Sequence, residues 1–222
     1  MLINADFSRP AVVLPSQYEW LPSPQSGVER VMLDRIGAEQ ARATSIVRYA
    51  PGSRFPPHQH PGGEEILVLS GVFSEGETHY PEGWYLRNPP GSAHQPASRE
   101  GAVIFVKLQQ MRPDETQTVR IDTHAAASWH NEAGRDVCPL YQDQAESTSL
   151  QRLPPGEPLF SAPVQRAELF ILSGNIVADH KSYERGSWIR LPAGHYPDIV
   201  AGTQGAILYL KISHLAEIGT EI

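Results

Sequence analysis

The sequence predicts an all-β protein made of two equivalent units in tandem. Three observations predict it. The chain repeats itself, with the same 103 residues separating Gly71 from Gly174 and Gly83 from Gly186. Its apolar runs are short and rich in β-branched residues, as in Thr44–Tyr49, Glu64–Leu69, Gly83–Arg87 and Ala102–Leu108. Between such runs fall the 20 prolines and 18 glycines of the 222 residues, the punctuation of a turn-rich sheet protein.

The repeat runs through the whole unit. Trp20-Leu-Pro answers to Trp129-His-Asn, and Tyr49-Ala-Pro-Gly to Leu153-Pro-Pro-Gly. Glu65-Ile-Leu-Val-Leu-Ser-Gly answers to Glu168-Leu-Phe-Ile-Leu-Ser-Gly, and Ala102-Val-Ile-Phe-Val-Lys-Leu to Ala206-Ile-Leu-Tyr-Leu-Lys-Ile. The expected domains are residues 1–115 and 116–222, meeting in the polar stretch Met111-Arg-Pro-Asp-Glu-Thr-Gln. Ile66-Leu-Val-Leu and Val103-Ile-Phe-Val are apolar on both faces rather than alternating, so these strands are expected to be covered on both sides. A pseudo-twofold pair of units, associated further into a homo-oligomer, would cover them.

Composition excludes several function classes. A hydrophobic fraction of 40% with 19% charged residues is that of a folded domain rather than a disordered chain. A formal charge of −7 and a pI near 5.7 argue against a nucleic-acid partner, which needs a concentrated basic surface. No run of apolar residues is long enough to span a membrane, and Met1-Leu-Ile-Asn-Ala-Asp-Phe lacks the basic and apolar regions of a secretory signal. Cys138 is the single cysteine, which excludes an internal disulfide, fits a reducing cytoplasm and reads as a small core residue.

The chemistry concentrates in the first unit. Gly52-x5-His58-x-His60-x3-Glu64-x6-Gly71 is followed by Gly83-x5-Pro89-x-Gly91-x2-His94. His58 and His60, two apart on an extended segment, point to one face. Pro61-Gly62-Gly63 turns the chain so that Glu64 opens the next strand towards the same interior. The rigid turn Pro89-Pro90-Gly91 sets His94 against them. Three imidazoles and one carboxylate converging suit a divalent first-row metal. His79, His124, His130, His180 and His214 stand outside this pattern and read as surface or core residues. Glu65 reads as packing or as support for the site, and Tyr85 and Arg87 as surface or packing residues, one of which could equally line its mouth.

These two blocks resemble the two cupin sequence motifs at nine positions, with Ser98 where the family usually has Asn. The resemblance implies tandem cupin double-stranded β-helix (jelly-roll) barrels, with metal ligands His58, His60, Glu64 and His94. More finely, His-Pro-Gly-Gly-Glu-Glu-Ile-Leu-Val-Leu-Ser-Gly and Gly-Trp-Tyr-Leu-Arg-Asn-Pro-Pro-Gly-Ser-Ala-His are similar to the ChrR-type cupin, the C-terminal domain of zinc-containing anti-sigma factors. That likeness covers roughly residues 20–110. It implies one divalent ion per chain, zinc first, with iron, manganese or nickel as the other occupants. It also implies a sensor or regulatory role with a protein partner or small-molecule ligand. The sequence departs from the family in showing no helical sigma-binding domain and no Cys pair for a second zinc. The alternative is a metal-dependent dioxygenase on a small organic substrate such as a diketone.

The second unit is expected to be a degenerate barrel without metal ligands. The repeat offset carries the four ligand positions to Ser161, Pro163, Ala167 and Pro197, while His195 falls two places away and Glu168 aligns with Glu65.

Overall fold

The computed structural model describes residues 1–38 and 40–214. The chain is built almost wholly of antiparallel strands and divides into two compact units. The first comprises Met1–Ala5 and Glu19–Ala125; the second comprises Asp6–Tyr18 and Ala126–Ile222, described to residue 214.

In the first unit the main sheet runs in the order Leu2–Ile3, Val28–Ile36, Arg42–Tyr49, Ala102–Leu108, Glu64–Glu75, Trp84–Asn88 and Val119–Asp122. The long strand Glu64–Glu75 serves two layers. Its first half pairs with Ala102–Leu108 and Trp84–Asn88, its second with Thr78–Pro81 and Pro96–Ser98. Alternation along it decides what faces inward. Ile66 and Val68 join Tyr49, Phe73, Leu86, Ile104 and Val106 in the core. Ser98, the departure from the family pattern, donates to the Val72 carbonyl at 2.7 Å and is buried.

The strand changes layer at Gly71. Its φ of +72° favours glycine, and a Cβ there would stand 2.1 Å from the Gly101 carbonyl oxygen. Gly174 repeats both features, with φ of +66° and the same 2.1 Å to the Gly205 oxygen. Replacing Gly71 by alanine is therefore expected to destabilise the fold by about 1–3 kcal/mol from the backbone conformation alone, plus the cost of moving a backbone carbonyl. Urea unfolding checks this, and an unchanged midpoint would count against the close approach.

The second unit repeats the plan with the order His130–Glu132, Arg135–Gln142, Glu146–Leu153, Val200–Ser213, Arg166–Ala178, Trp188–Leu191 and Ala11–Val13. The strand completing each main sheet comes from outside the contiguous repeat: Val119–Asp122 beside Trp84–Asn88, and Ala11–Val13 beside Trp188–Leu191. The stretch 116–125, including Arg120, accordingly lies in the first unit. The two repeat tryptophans play matching parts. The Arg48 guanidinium lies 4.0 Å over Trp20, and that of Arg152 lies 4.7 Å over Trp129.

The interior of the second unit is apolar, with Val164, Ala167, Leu169, Ile171, Leu191 and Leu208 in one core cluster. Cys138 is buried on Arg135–Gln142, and burial pushes its thiol up to about 11. That makes it a core residue rather than a nucleophile at neutral pH.

Candidate metal centre

His58-Gln59-His60 forms a short strand paired antiparallel with Ser92-Ala93-His94, which places His58 opposite His94 and His60 opposite Ser92. Gln59 is exposed, while the two histidines share a face with His94. Ring centroids are 4.7 Å apart for His58–His60, 5.1 Å for His58–His94 and 4.7 Å for His60–His94.

One carbonyl ties the loops together. The His60 oxygen accepts from Gly63 N at 3.1 Å and from Gly91 N at 2.9 Å, joining the turns before Glu64 and before His94. Gly63 has φ of +76°, and a Cβ there would meet Met111 Sδ at 2.3 Å. This tight passage delivers Glu64 as the first residue of the long strand, in register with Asn88. Glu64 has the parity of Ile66 and Val68 and faces inward. Glu65 has the other parity and belongs to a different network.

The donor atoms converge. His60 Nε2 and His94 Nε2 lie 2.8 Å apart, and Glu64 Oε2 lies 3.5 Å and 3.4 Å from them. Ligand atoms of His58, His60 and His94 all fall within 4.8 Å of one another. Bonds of about 2.0–2.2 Å to one ion put neighbouring donors roughly 2.8–3.6 Å apart in tetrahedral or octahedral shells. The spacings among His60, His94 and Glu64 match that range, so the donor set fits a divalent first-row metal.

Hydrogen bonds fix which ring nitrogens face the cluster. His58 Nδ1 sits 3.0 Å from the Pro56 carbonyl, which can only accept, so Nδ1 carries a hydrogen and Nε2 is the nitrogen left for an ion. His94 Nδ1 sits 2.6 Å from Glu75 Oε1, so Nδ1 carries a hydrogen and Nε2 is the nitrogen turned to the other donors. Burial, then the charges of His94 and His58, push His60 down to about 3, so it is a neutral donor near pH 7. Burial pushes Glu64 up to about 7, opposed by His94 and the Asn88 amide. Burial would also raise Glu75, but the His94 hydrogen bond and the Arg120 charge outweigh it and hold the carboxyl below its usual range. For His94 burial acts downward, and the Glu75 hydrogen bond and Glu64 charge reverse it into a rise.

The structure thus brings His58, His60, Glu64 and His94 into one cluster. It also supplies three residues that sequence reasoning did not select. Glu75 bonds His94, Asn88 bridges Glu64 and Glu75 at 3.2 Å and 3.1 Å, and Arg120 reaches Glu75 Oε2 at 2.9 Å. Asn88 sat within the second motif block and could have been read from its pairing with the Glu64 strand. Glu75 and Arg120 gave no signal, since Ser74-Glu75-Gly76 reads as a turn in the sequence and Arg120 falls in the stretch read as the connection between units. Tyr85 and Arg87 both take packing roles: Arg87 forms buried ion pairs with Glu65 and Glu115, and Tyr85 is wholly buried. In the second unit Ala167 pairs with Leu191 where the first pairs Glu64 with Asn88, and both are core residues. Among the described residues, the groupings of three His, Cys, Asp or Glu able to share an ion lie in the first unit.

Comparison with known proteins follows from this geometry. Residues 8–112 match the family model of the ChrR Cupin-like domain. No curated relative matches the chain by sequence. Among solved structures, the chain is similar to a "putative dioxygenase" from Nostoc punctiforme, with 15% identity over 99% of this chain and 85% of that one at TM-score 0.71. It is similar to the pirin YhhW from Escherichia coli, solved with nickel(II), with 10% identity over 92% and 98% of the two chains at TM-score 0.65. It is also similar to a Cupin 2 conserved barrel domain protein from Leptotrichia buccalis, with 12% identity over 96% and 100% at TM-score 0.61. At these identities the likeness speaks for the fold.

Proposed function

We propose that this protein is a metal-binding sensor or regulatory bicupin, because residues 8–112 match the model of the ChrR Cupin-like domain and the chain shares its fold with cupin structures. Its first unit would hold one divalent ion, zinc first, through His58, His60, Glu64 and His94. The observation that supports this most is that donors are preset by partners that are not ligands. His58 is fixed by Pro56, His94 by Glu75 and Glu64 by Asn88. A four-donor site so prepared suits an ion that stabilises a fold or reports its own occupancy. No described helix is long and apolar enough to cross a membrane. A cytoplasmic homo-oligomer answering to a protein partner or a small ligand completes the proposal.

The test is elemental analysis of protein purified without added metal or chelator. About one zinc per chain supports the proposal, and absence of any bound transition metal, even after loading and desalting, sinks it. A second reading has its own observation. Phe55 lies 5.7 Å from the half-exposed His58 ring, an aromatic neighbour at the site that would suit a small organic substrate. Iron would supply there the redox chemistry that zinc lacks. One iron per chain with oxygen uptake on small diketones would make the dioxygenase reading the correct one.

A further inference from the structure

We infer that Glu75, clamped by Arg120, is the positioning residue that makes His94 an Nε2 donor, and that the centre therefore depends on the strand Val119–Asp122 beyond the block carrying its four donors. This rests on the metal-binding reading above and deepens it. His94 donates through Nδ1 to Glu75 Oε1 at 2.6 Å, the short distance of a charge-assisted bond. That bond leaves Nε2 as the ring nitrogen facing His60 and Glu64, 2.8 Å and 3.4 Å away.

Glu75 is itself held on both oxygens. Oε1 accepts from Asn88 Nδ2 at 3.1 Å, and Oε2 accepts from Arg120 Nη2 at 2.9 Å. The same Nη2 donates to Asn88 Oδ1 at 2.6 Å, which turns the Asn88 amide towards both carboxylates. Arg120 is fixed in turn. Its Nη1 donates to the carbonyls of Val119 and Arg87 at 2.8 Å and 3.2 Å, and its Nε donates to Tyr80 Oη at 3.1 Å.

Two consequences separate this network from ordinary buried packing. Both Glu75 oxygens are engaged by donors, so Glu75 acts through His94 and not as a rival ligand, although Glu64, Glu75 and His94 are close enough to share an ion. Arg120 comes from the strand that closes the edge beside Trp84–Asn88, and the matching strand of the second unit carries Val12 opposite Ile189 where Arg120 stands opposite Leu86. The guanidinium therefore occurs in the unit that has the donors.

The experiment is metal titration of the full chain with Zn(II) and Co(II), comparing wild type with Glu75→Gln, Arg120→Met and the double variant. Each single change is expected to weaken affinity 10–100-fold and to alter the Co(II) absorption spectrum. The double variant is expected to be no weaker than the worse single one, because both act along one path. Wild-type affinity in both single variants, or losses that multiply in the double, would overturn the inference while leaving the metal centre standing. A wild type that takes up no metal overturns both. Should the variants not fold, 15N shifts of zinc-loaded wild type decide: His94 protonated at Nδ1 and bound through Nε2 is the expected result, and the reverse overturns it.

Discussion

Alanine at His60 or His94 is expected to abolish stoichiometric metal binding and to remove the metal-dependent part of thermal stability. The physical reason is linkage, since an ion that binds the folded state alone stabilises by about 4 kcal/mol when present at a thousand times its Kd. His60 and His94 contribute the two donor nitrogens 2.8 Å apart, so losing either opens the shell at its tightest edge. His195→Ala is the control. That residue is exposed in the second unit, and its loss is expected to leave metal content unchanged. Calorimetry of apo and loaded proteins separates this effect from any cavity left by the missing ring. Retained stoichiometry in the His94 variant would remove it from the ligand set.

The second large effect is expected from Arg87→Met, on the sheet face opposite the centre. The guanidinium meets Glu115 at 2.6 Å and 2.8 Å and Glu65 at 3.0 Å, with Arg87 1% exposed and the carboxylates 4% and 6%. Removing the cation leaves two buried carboxylates facing a methyl thioether. Breaking a buried ion pair in this way costs about 3–5 kcal/mol, a fall in Tm on the order of 10 °C for a domain of this size. Adding Glu65→Met should recover part of the loss at most, because it removes one of the two buried carboxylates while Glu115 keeps its charge. A single variant melting within about 2 °C of wild type would show that the network contributes little.

The parts of the site that were legible in the sequence are those set by local periodicity. His58 and His60 share a face because side chains alternate along a strand, and Glu64 rather than Glu65 enters the interior by the same rule. The turns Pro61-Gly62-Gly63 and Pro89-Pro90-Gly91 sit one residue before Glu64 and three before His94, so they read directly as the devices that aim them. Glu75 was illegible for the converse reason. It lies eleven positions beyond Glu64 on one strand, about 36 Å away if that strand were straight, yet their carboxylates come within 4.8 Å. Only the bend at Gly71 and the change of layer bring them together.

The sequence by itself determined the duplicated all-β plan, the grouping of His58, His60, Glu64 and His94, and the absence of His, Cys, Asp or Glu at their counterparts Ser161, Pro163, Ala167 and Pro197. Each of these is written in residue types at fixed spacings. Tertiary structure alone decided which partners hold the donors, that Arg120 enters the first unit from beyond its repeat, and that Asp6–Tyr18 completes the second. Those outcomes depend on strand pairing between segments far apart in the chain. Backbone hydrogen bonding is nearly indifferent to side-chain identity, so an edge strand such as Ala11–Val13 or Val119–Asp122 carries little in its own sequence to say which sheet it will close.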